Sequence, residues 1–385
     1  MSYFNAAWSG RTHASMHLSL GCLAVLGLQH MGQEWSDSLA VWSYGRDASL
    51  GALAPYACIA LSGVSAIAFA LGLRWRLAGA TLCASMAAAY VLAPVTYHNN
   101  LYLLWLLVLL TVTTAPVAYV PRALLCEATT LPDHIALFPR LVQWQVAIVY
   151  VGSVFVKATH PMWHGTGGVI RWLAGVRVPE INQGLVNPIL RPVLMHRGIA
   201  SALDVAVMVA EMIIPLMLFS TRLRRTGFAC GVVLHGFMQA WLYPQLFTFL
   251  MLWGYYAFVP SGDRAWRVTY VPASAFDAAL ARVYPKLDWM GRTTWAPGPS
   301  LTLTDAQGTV RGGVTALRWL MVLTPVTLLA FATLSLAAPG TRQMFTVPRD
   351  AIENVVLLAW ASLWLPGAWE RTLGWVRSQP TRSQE

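Results

Sequence analysis

Eight long runs of apolar residues, separated by short polar loops, occupy the first 260 positions of the chain. A helix needs about 20 such residues to cross the hydrocarbon layer of a bilayer, and most of the runs are long enough. Their apolar residues are continuous rather than alternating, which favours membrane helices over a β-barrel. The runs are about Ser15–Met31, Ala52–Leu73, Leu77–Val95, Leu101–Val120, Arg140–Ala158, Ile199–Ser220, Thr226–Tyr243 and Gln245–Val259.

Charged residues are too scarce for a soluble protein. They make up 11% of the 385 residues, whereas an ordinary soluble domain carries about 25%. This composition excludes a cytosolic globular enzyme, a disordered chain and a secreted disulfide scaffold. The sequence therefore predicts an all-α integral membrane protein with about eight transmembrane helices and a small mixed cytoplasmic C-terminal tail. We expect such a protein to have the lipid bilayer as its partner. The net charge of +10 is spread over many loops and does not indicate binding to nucleic acid.

The arginines of the loops indicate the orientation of the helices. Short cytoplasmic loops are enriched in Lys and Arg. Three of the predicted loops carry Arg74, Arg76, Arg122, Arg222, Arg224 and Arg225. The rule places these loops and both termini in the cytoplasm. The sequence thus predicts a multi-pass membrane protein with Tyr97–Asn100 and about Thr159–Gly198 on the outer side.

The tail from Ser261 to Glu385 differs from the membrane region in composition. Leu301–Gly308 alternates apolar and polar residues and ends at a glycine, which predicts a strand and a turn. Ala316–Ala338 and Ala351–Trp369 are apolar again and form either two further spans or helices at the inner interface. We therefore divide the chain into a membrane domain, residues 11–260, and a C-terminal tail, residues 261–385.

Lys157, at the outer end of the fifth run, is the first candidate functional residue, because a charge within hydrocarbon is costly. It either snorkels to the interface beside Trp163 as an anchor, or it faces a cavity, loses its proton through desolvation and acts as a base. Arginine stays protonated under the same conditions. The chain has only two lysines, Lys157 and Lys286. The presence of a lysine at position 157 therefore favours a role that arginine cannot fill.

A polar cluster lies between the third and fourth runs, at Tyr97, His98 and Asn99. Such a cluster is either a solvated outer turn or a set of groups that converge on a ligand. His235, within the seventh run, is either a core histidine bonded to a neighbouring helix or a member of the same site.

Two acidic residues, Asp204 and Glu211, lie within the sixth run. They are seven residues apart and share one helix face. A buried carboxylate facing His235 or Lys157 would satisfy both partners, and a structural buried pair is the alternative. The sequence contains no nucleotide-binding loop, nucleophile elbow or metal-binding motif. We therefore expect acid–base chemistry on a membrane-soluble substrate, without a metal.

Three stretches resemble the vitamin K-dependent gamma-glutamyl carboxylase family and the wider bacterial group that carries the horizontally transferred transmembrane (HTTM) domain. His98, within Tyr97–Leu103, corresponds to the histidine of the family's Asn-His-x-Tyr-Leu motif. The stretch Gln145–Gly165 looks like the family segment that holds the catalytic lysine, and Lys157 takes the place of that lysine. Other family segments are similar to His235–Met251 and Glu211–Pro215.

The resemblance implies a chemistry for the site. In that family the lysine deprotonates vitamin K hydroquinone, oxygen converts the hydroquinone to an epoxide, and the strong base so formed removes the γ-proton of a glutamate that captures CO₂. It implies Lys157, His98 and His235 as catalytic residues and a reduced menaquinone- or vitamin K-type quinone as the cofactor. The residues expected to bind the quinone or the substrate are Tyr97, Asn99, Tyr150, Trp163 and Glu211.

We therefore expect a carboxylase- or epoxidase-like enzyme of a bacterial plasma (inner) membrane, a lyase or an oxidoreductase. It would use a quinol and oxygen to modify a peptide, protein or lipid-soluble substrate at the outer face. Two alternatives stay open. One is a non-catalytic membrane partner or immunity-type protein of the same fold. The other is a proton-coupled transporter with Asp204, Glu211 and His235 as a proton relay.

The tail carries a second resemblance. Leu301–Gly313, Ala316 and Pro339–Gly340 are similar to the second half of a thiol-disulfide oxidoreductase-like domain that is often fused to these proteins. The Cys-x-x-Cys half of that domain is absent, and the tail has no cysteine. We expect a remnant without redox activity, or one further pair of helices.

Overall fold

Helices of the computed structural model coincide with all eight apolar runs of the sequence. The structure describes residues 7–8, 10–43, 50–94, 99–114, 134–135, 137–163, 168–175, 186–242, 246–258, 266–305 and 308–336, and at the ends of some of these ranges only the backbone. The described residues of Met1–Phe138 and Val259–Thr333 form one compact unit. Those of Pro139–Phe258 form another.

A four-helix bundle makes up most of the first unit. Its helices are α1 (Gly10–Ser43), α2 (Leu50–Ala70), α3 (Trp75–Leu92) and α4 (Asn99–Thr114). Both α1 and α3 contact α2 and α4, so the bundle closes on itself. Two short strands, β1 (Ala7–Trp8) and β2 (His134–Ile135), pair antiparallel. Alanine and leucine recur along the four helices, and both residue types favour helical backbone.

Six helices form the second unit. They are α5 (Leu137–Thr159), which starts at the boundary of the unit, then α6 (Gly168–Gly175), α7 (Val186–Met195), α8 (Arg197–Phe219), α9 (Arg224–Leu242) and α10 (Leu246–Tyr255). Single 3₁₀ turns follow α5 and α10, at Pro161–Trp163 and Tyr256–Phe258. The helix α5 stops before Pro161 because a proline disfavours helical backbone at the residue that precedes it. The helix α8 packs against α6, α7 and α9.

The membrane character of the chain is confirmed by four helices that are long and apolar enough to cross a bilayer. These candidate spans are Leu53–Ala70, Trp75–Leu92, Leu137–Thr159 and Arg197–Phe219, and three shorter apolar helices accompany them in the described part of the chain. Large apolar side chains such as Val64 and Leu216 point outward from their helices with about two thirds of their surface exposed, at 66% and 67%. Such surfaces suit lipid and not water. The predicted number of eight spans stays a prediction.

Glycines let helices of the first unit approach one another closely. A Cβ atom added to Gly21 of α1 would lie 2.5 Å from the Cα atom of Ala70 in α2. One added to Gly79 of α3 would lie 2.4 Å from a methyl group of Val112 in α4. Lipid provides no hydrophobic force between membrane helices, so close backbone packing at small residues is what holds them together.

The tail contains a four-stranded sheet. Its strands are β3 (Trp266–Tyr270), β4 (Thr293–Pro297), β5 (Thr302–Thr304) and β6 (Val310–Gly312), in the spatial order β4-β3-β5-β6. The strands β3 and β4 are parallel and are joined by the helix α11 (Ala275–Leu287), and the other two pairs are antiparallel. The rings of Trp266 and Trp319 stack with 5.4 Å between their centroids. The buried Arg311 guanidinium of β6 lies 5.3 and 5.4 Å from these two centroids and pairs with Asp305.

The apolar run Ala316–Ala338 of the tail contains a break. Thr324 and Pro325 divide its described residues between α12 (Gly313–Leu323) and α13 (Val326–Leu336). Whether the tail adds further spans stays a prediction. The predicted strand and turn at Leu301–Gly308 correspond to β5 and the turn that follows it, where Gly308 has a φ of 79°. The run Ala351–Trp369 lies outside the described residues.

We predict that Gly21→Ala destabilises the protein by about 1–3 kcal/mol, because the new methyl group overlaps the backbone of Ala70. The matched control is Gly63→Ala in α2, where an added Cβ has no neighbour within 4 Å. That exchange should be neutral or add about 0.5–1 kcal/mol through helix propensity. Thermal unfolding in detergent compares the two variants. Equal melting temperatures for both would contradict the packing.

Candidate functional site

One face of α5 carries three polar side chains, Tyr150, Ser153 and Lys157. Residues three, four and seven positions apart share a face of an α-helix, so the three line up along its axis. Ile148 and Phe155, on the opposite face, are 60% and 68% exposed. The helix thus presents apolar side chains to lipid and polar ones to the interior of its unit.

Lys157 pairs with Glu211, which lies on α8. The ammonium contacts both carboxylate oxygens of Glu211 and donates a hydrogen bond to the hydroxyl oxygen of Ser153 at 2.9 Å. It also lies 5.1 Å from the ring centroid of Trp163. The two charged side chains are only 14% and 6% exposed, so the pair is largely removed from solvent.

The two charges of this pair depend on each other. Burying an ammonium and a carboxylate costs several kcal/mol for each ion, and their attraction offsets this cost only partly. Removal of either side chain would therefore leave an uncompensated charge in the interior of the unit.

A second polar cluster joins three helices of the same unit. The Tyr150 hydroxyl lies 2.7 Å from the Nε2 atom of His235 on α9 and forms a hydrogen bond with the Tyr255 hydroxyl on α10. Each of the three side chains is 2% exposed. The Nδ1 atom of His235 is buried and has no hydrogen-bond partner in the described part of the chain.

The two clusters share one face of α5. Tyr150 lies two helical turns before Lys157 on this helix, so the clusters follow one another along its axis. We therefore treat Lys157, Glu211, Tyr150, His235 and Tyr255 as one candidate site and call it the α5 site.

Asp204 has a different role from Glu211, although both carboxylates lie buried on α8. Its Oδ1 atom accepts a hydrogen bond from the backbone N–H of Ile170 at 3.3 Å. Ile170 lies in the first turn of α6, where backbone N–H groups have no partner within the helix. Asp204 therefore caps a neighbouring helix, whereas Glu211 fulfils the sequence-based expectation of a carboxylate that faces Lys157.

The structure brings together five of the eight residues that the sequence proposed for the site: Tyr150, Lys157, Trp163, Glu211 and His235. Tyr97 and His98 lie outside the described residues, and of Asn99 only the backbone at the start of α4 is described. The roles of all eight residues stay predictions. Among the described residues, no three His, Cys, Asp or Glu side chains come together in the way that a metal ion requires.

Sequence reasoning missed Ser153 and Tyr255. Ser153 lies four residues before Lys157, a spacing that predicts contact on a helix. The sequence signal for Tyr255 is weaker and lies in Gly231, a small residue one helical turn before His235. A Cβ atom added to Gly231 would lie 2.0 Å from the Tyr255 hydroxyl, so only glycine leaves room for that group.

The apolar helices and their lipid-facing side chains define an α-helical integral membrane protein. The model of the HTTM domain family matches residues 10–262, well over half of the chain, and the protein belongs to that family. HTTM domains are associated with vitamin K-dependent carboxylase-like membrane proteins. No curated protein and no solved structure matches the chain. The HTTM part of the sequence-based resemblance is thus confirmed.

We predict that the Lys157–Glu211 pair shows strong coupling in a double-mutant cycle. Lys157→Met or Glu211→Met alone leaves an unpaired buried charge, which costs roughly 3–5 kcal/mol when the partner is fully buried. The 14% exposure of Lys157 places this protein at the lower end of that range. The double variant removes both charges and should unfold within about 1 kcal/mol of the wild type.

Unfolding by denaturing detergent in mixed micelles measures all four proteins of the cycle. A pair exposed to solvent would give single-variant losses of only about 0.2–1 kcal/mol. Losses of that size would contradict the buried pair.

Proposed function

We propose that the protein is a vitamin K-dependent carboxylase-like membrane enzyme with Lys157 as its general base. It would use a reduced quinone and oxygen to modify a peptide or a lipid-soluble substrate at the outer face, by chemistry of the epoxidation or carboxylation type. The observation that carries the proposal is the pairing of Lys157 with buried Glu211. A snorkelling anchor extends its ammonium toward water, whereas this ammonium is directed at a carboxylate that is 6% exposed.

Several features of the α5 site fit a reduced quinone. Lys157 offers a base, the free ring nitrogen of His235 offers a partner for an oxygen atom, and Trp163 offers an aromatic face next to the ammonium. When bound, a reduced quinone supplies a weakly acidic hydroxyl and the electrons that oxygen takes up. Lys157 first passes its own proton to Glu211, and the neutral amine then accepts the hydroxyl proton and becomes the ammonium that faces the resulting quinolate oxygen. His98, with Tyr97 and Asn99, is proposed to assist on the strength of the family resemblance alone.

The lipid-facing side of α5 supports entry of the quinone from the bilayer. Phe155 and Trp144 are 68% and 49% exposed on this helix. Phe155 is two residues from Lys157, so an apolar ligand that follows the helix surface reaches the polar face within half a turn. A quinone with an isoprenoid tail dissolves in lipid and needs no aqueous path.

We predict that Lys157→Arg folds but loses turnover of a reduced naphthoquinone under oxygen. Arginine keeps the positive charge but cannot give up its proton in this range, so it cannot act as the base. General acid–base groups contribute about 10²–10⁴-fold, and we expect a loss of that order in the rate of quinol oxidation. The assay uses protein in lipid nanodiscs and follows formation of the quinone epoxide by mass spectrometry.

The matched control is Lys286→Arg, at the exposed end of α11, which exchanges the only other lysine of the chain. It should retain the wild-type rate. Wild-type turnover by Lys157→Arg would exclude Lys157 as the base. Absence of turnover by the wild-type protein with reduced naphthoquinones would overturn the proposed function as a whole.

A further inference from the structure

The hydrogen bonds of Tyr255, Tyr150 and His235 form a chain with a countable number of protons. Each tyrosine hydroxyl carries one proton, and a neutral imidazole carries one on Nδ1 or on Nε2. The chain has two hydrogen bonds, one between the two hydroxyls and one between Tyr150 and Nε2. Two bonds use two of the three protons, so one proton is left over. The position of this third proton decides whether the Nδ1 atom of His235 acts as a donor or as an acceptor toward a ligand.

Only one of the possible arrangements uses both hydroxyl protons. In it, Tyr255 donates to Tyr150, Tyr150 donates to Nε2, and the spare proton is on the Nδ1 atom of His235. If Nε2 carries the proton instead, one of the two hydroxyl protons has no acceptor among the described residues. Each form leaves one buried donor unpaired, the Nδ1–H group in the first and a hydroxyl in the second, so the number of unpaired groups is the same. The two forms differ in the bond between Tyr150 and His235. A phenol hydroxyl is a stronger donor than a neutral imidazole N–H, and an imidazole nitrogen is a stronger acceptor than a phenol oxygen. The bond from Tyr150 to Nε2 is therefore the stronger one, and the chain favours the Nδ1–H form of His235.

The packing around Tyr255 holds this chain in place. The Tyr255 ring meets the ring of Phe228 edge-on at 5.6 Å between centroids, and its hydroxyl occupies the space that Gly231 leaves free. On the other side, His235 lies against Phe247, with 6.0 Å between ring centroids. The hydroxyl of Tyr255 therefore points at Tyr150 without an alternative partner among the described residues, and Tyr150 is left to donate to His235.

We propose that Tyr150 and Tyr255 are positioning residues that fix His235 as the Nδ1–H tautomer. The Nδ1–H group is then a preset donor to an oxygen atom of the bound quinone. This inference rests on the proposed function of the α5 site. It adds the direction of one hydrogen bond, in which His235 donates and an oxygen atom of the quinone accepts. Lys157 removes a proton from one oxygen of the ligand, and a fixed N–H donor stabilises negative charge on an oxygen as that charge develops.

The tautomer can be observed without turnover. In protein labelled with ¹⁵N-histidine, a protonated ring nitrogen resonates far upfield of an unprotonated one, and His235→Gln identifies the signals of His235 among those of nine histidines. The wild-type protein should show His235 protonated at Nδ1. Tyr150→Phe should abolish this preference, and Tyr255→Phe should weaken it. Tyr56→Phe, which removes a hydroxyl from half-exposed Tyr56 of α2, should leave the signals unchanged.

The ligand contact is tested with 2-methyl-1,4-naphthoquinone, whose carbonyl oxygens accept hydrogen bonds, and with 2-methylnaphthalene, which has the same ring and no oxygen. The quinone should shift the Nδ1 signal of His235, and the hydrocarbon should not. Loss of one hydrogen bond corresponds to about a 3- to 10-fold weaker affinity, which we expect for His235→Gln and for Tyr150→Phe.

A wild-type His235 protonated at Nε2 would overturn the inference and leave the Lys157 experiment unaffected. Nδ1 protonation without a quinone-induced shift of His235 would overturn the ligand contact. If the tautomer and the shift are found but Lys157→Arg turns over normally, the site binds quinone and the proposed base is wrong.

Discussion

The ion pair between Lys157 and Glu211 is the constraint on which the rest of the site depends. Two opposite charges lie on neighbouring membrane helices, each largely removed from solvent. In such a place neither charge is tolerated alone, so the pair fixes α5 against α8. It also fixes the direction of the Lys157 side chain, toward the interior of its unit, and thereby assigns the opposite face of α5 to lipid. The proposed function assigns the general base to the lysine of this pair.

The second cluster, formed by Tyr150, His235 and Tyr255, is part of the candidate site because it lies next to this pair along α5. Tyr150 lies on the same face of α5 as Lys157, two helical turns before it. Asp204, only two turns along α8 from Glu211, instead caps α6. Two buried carboxylates on one helix face thus have different partners, Lys157 for Glu211 and the first turn of α6 for Asp204. A relay through Asp204, Glu211 and His235 has no contact in the described structure that favours it.

The membrane helices and the polar positions were accessible from sequence because each rests on a local pattern. Each apolar run overlaps a helix, although α1 (Gly10–Ser43) extends 12 residues beyond the end of its run at Met31. The heptad spacing of Asp204 and Glu211 put them on one face. The identity of the carboxylate that meets Lys157 was not accessible, because it depends on the rotation of α8 relative to α5. Tyr255 escaped notice for the same reason, since its hydroxyl reaches Tyr150 only through tertiary packing at Gly231. In the tail, α11 and its two parallel strands were missed. The strand β3 alternates apolar and polar residues, but over only five positions, and β4 (Thr293–Pro297) shows no such alternation.

The most direct test of the account is a cryo-electron microscopy structure of the protein in lipid nanodiscs with 2-methyl-1,4-naphthoquinone. The account predicts density for the ring beside Trp163, with one oxygen within hydrogen-bond distance of Lys157 Nζ or of His235 Nδ1, about 2.7–3.2 Å. A ring bound away from these side chains, with the Lys157–Glu211 pair intact and closed to the ligand, would contradict it.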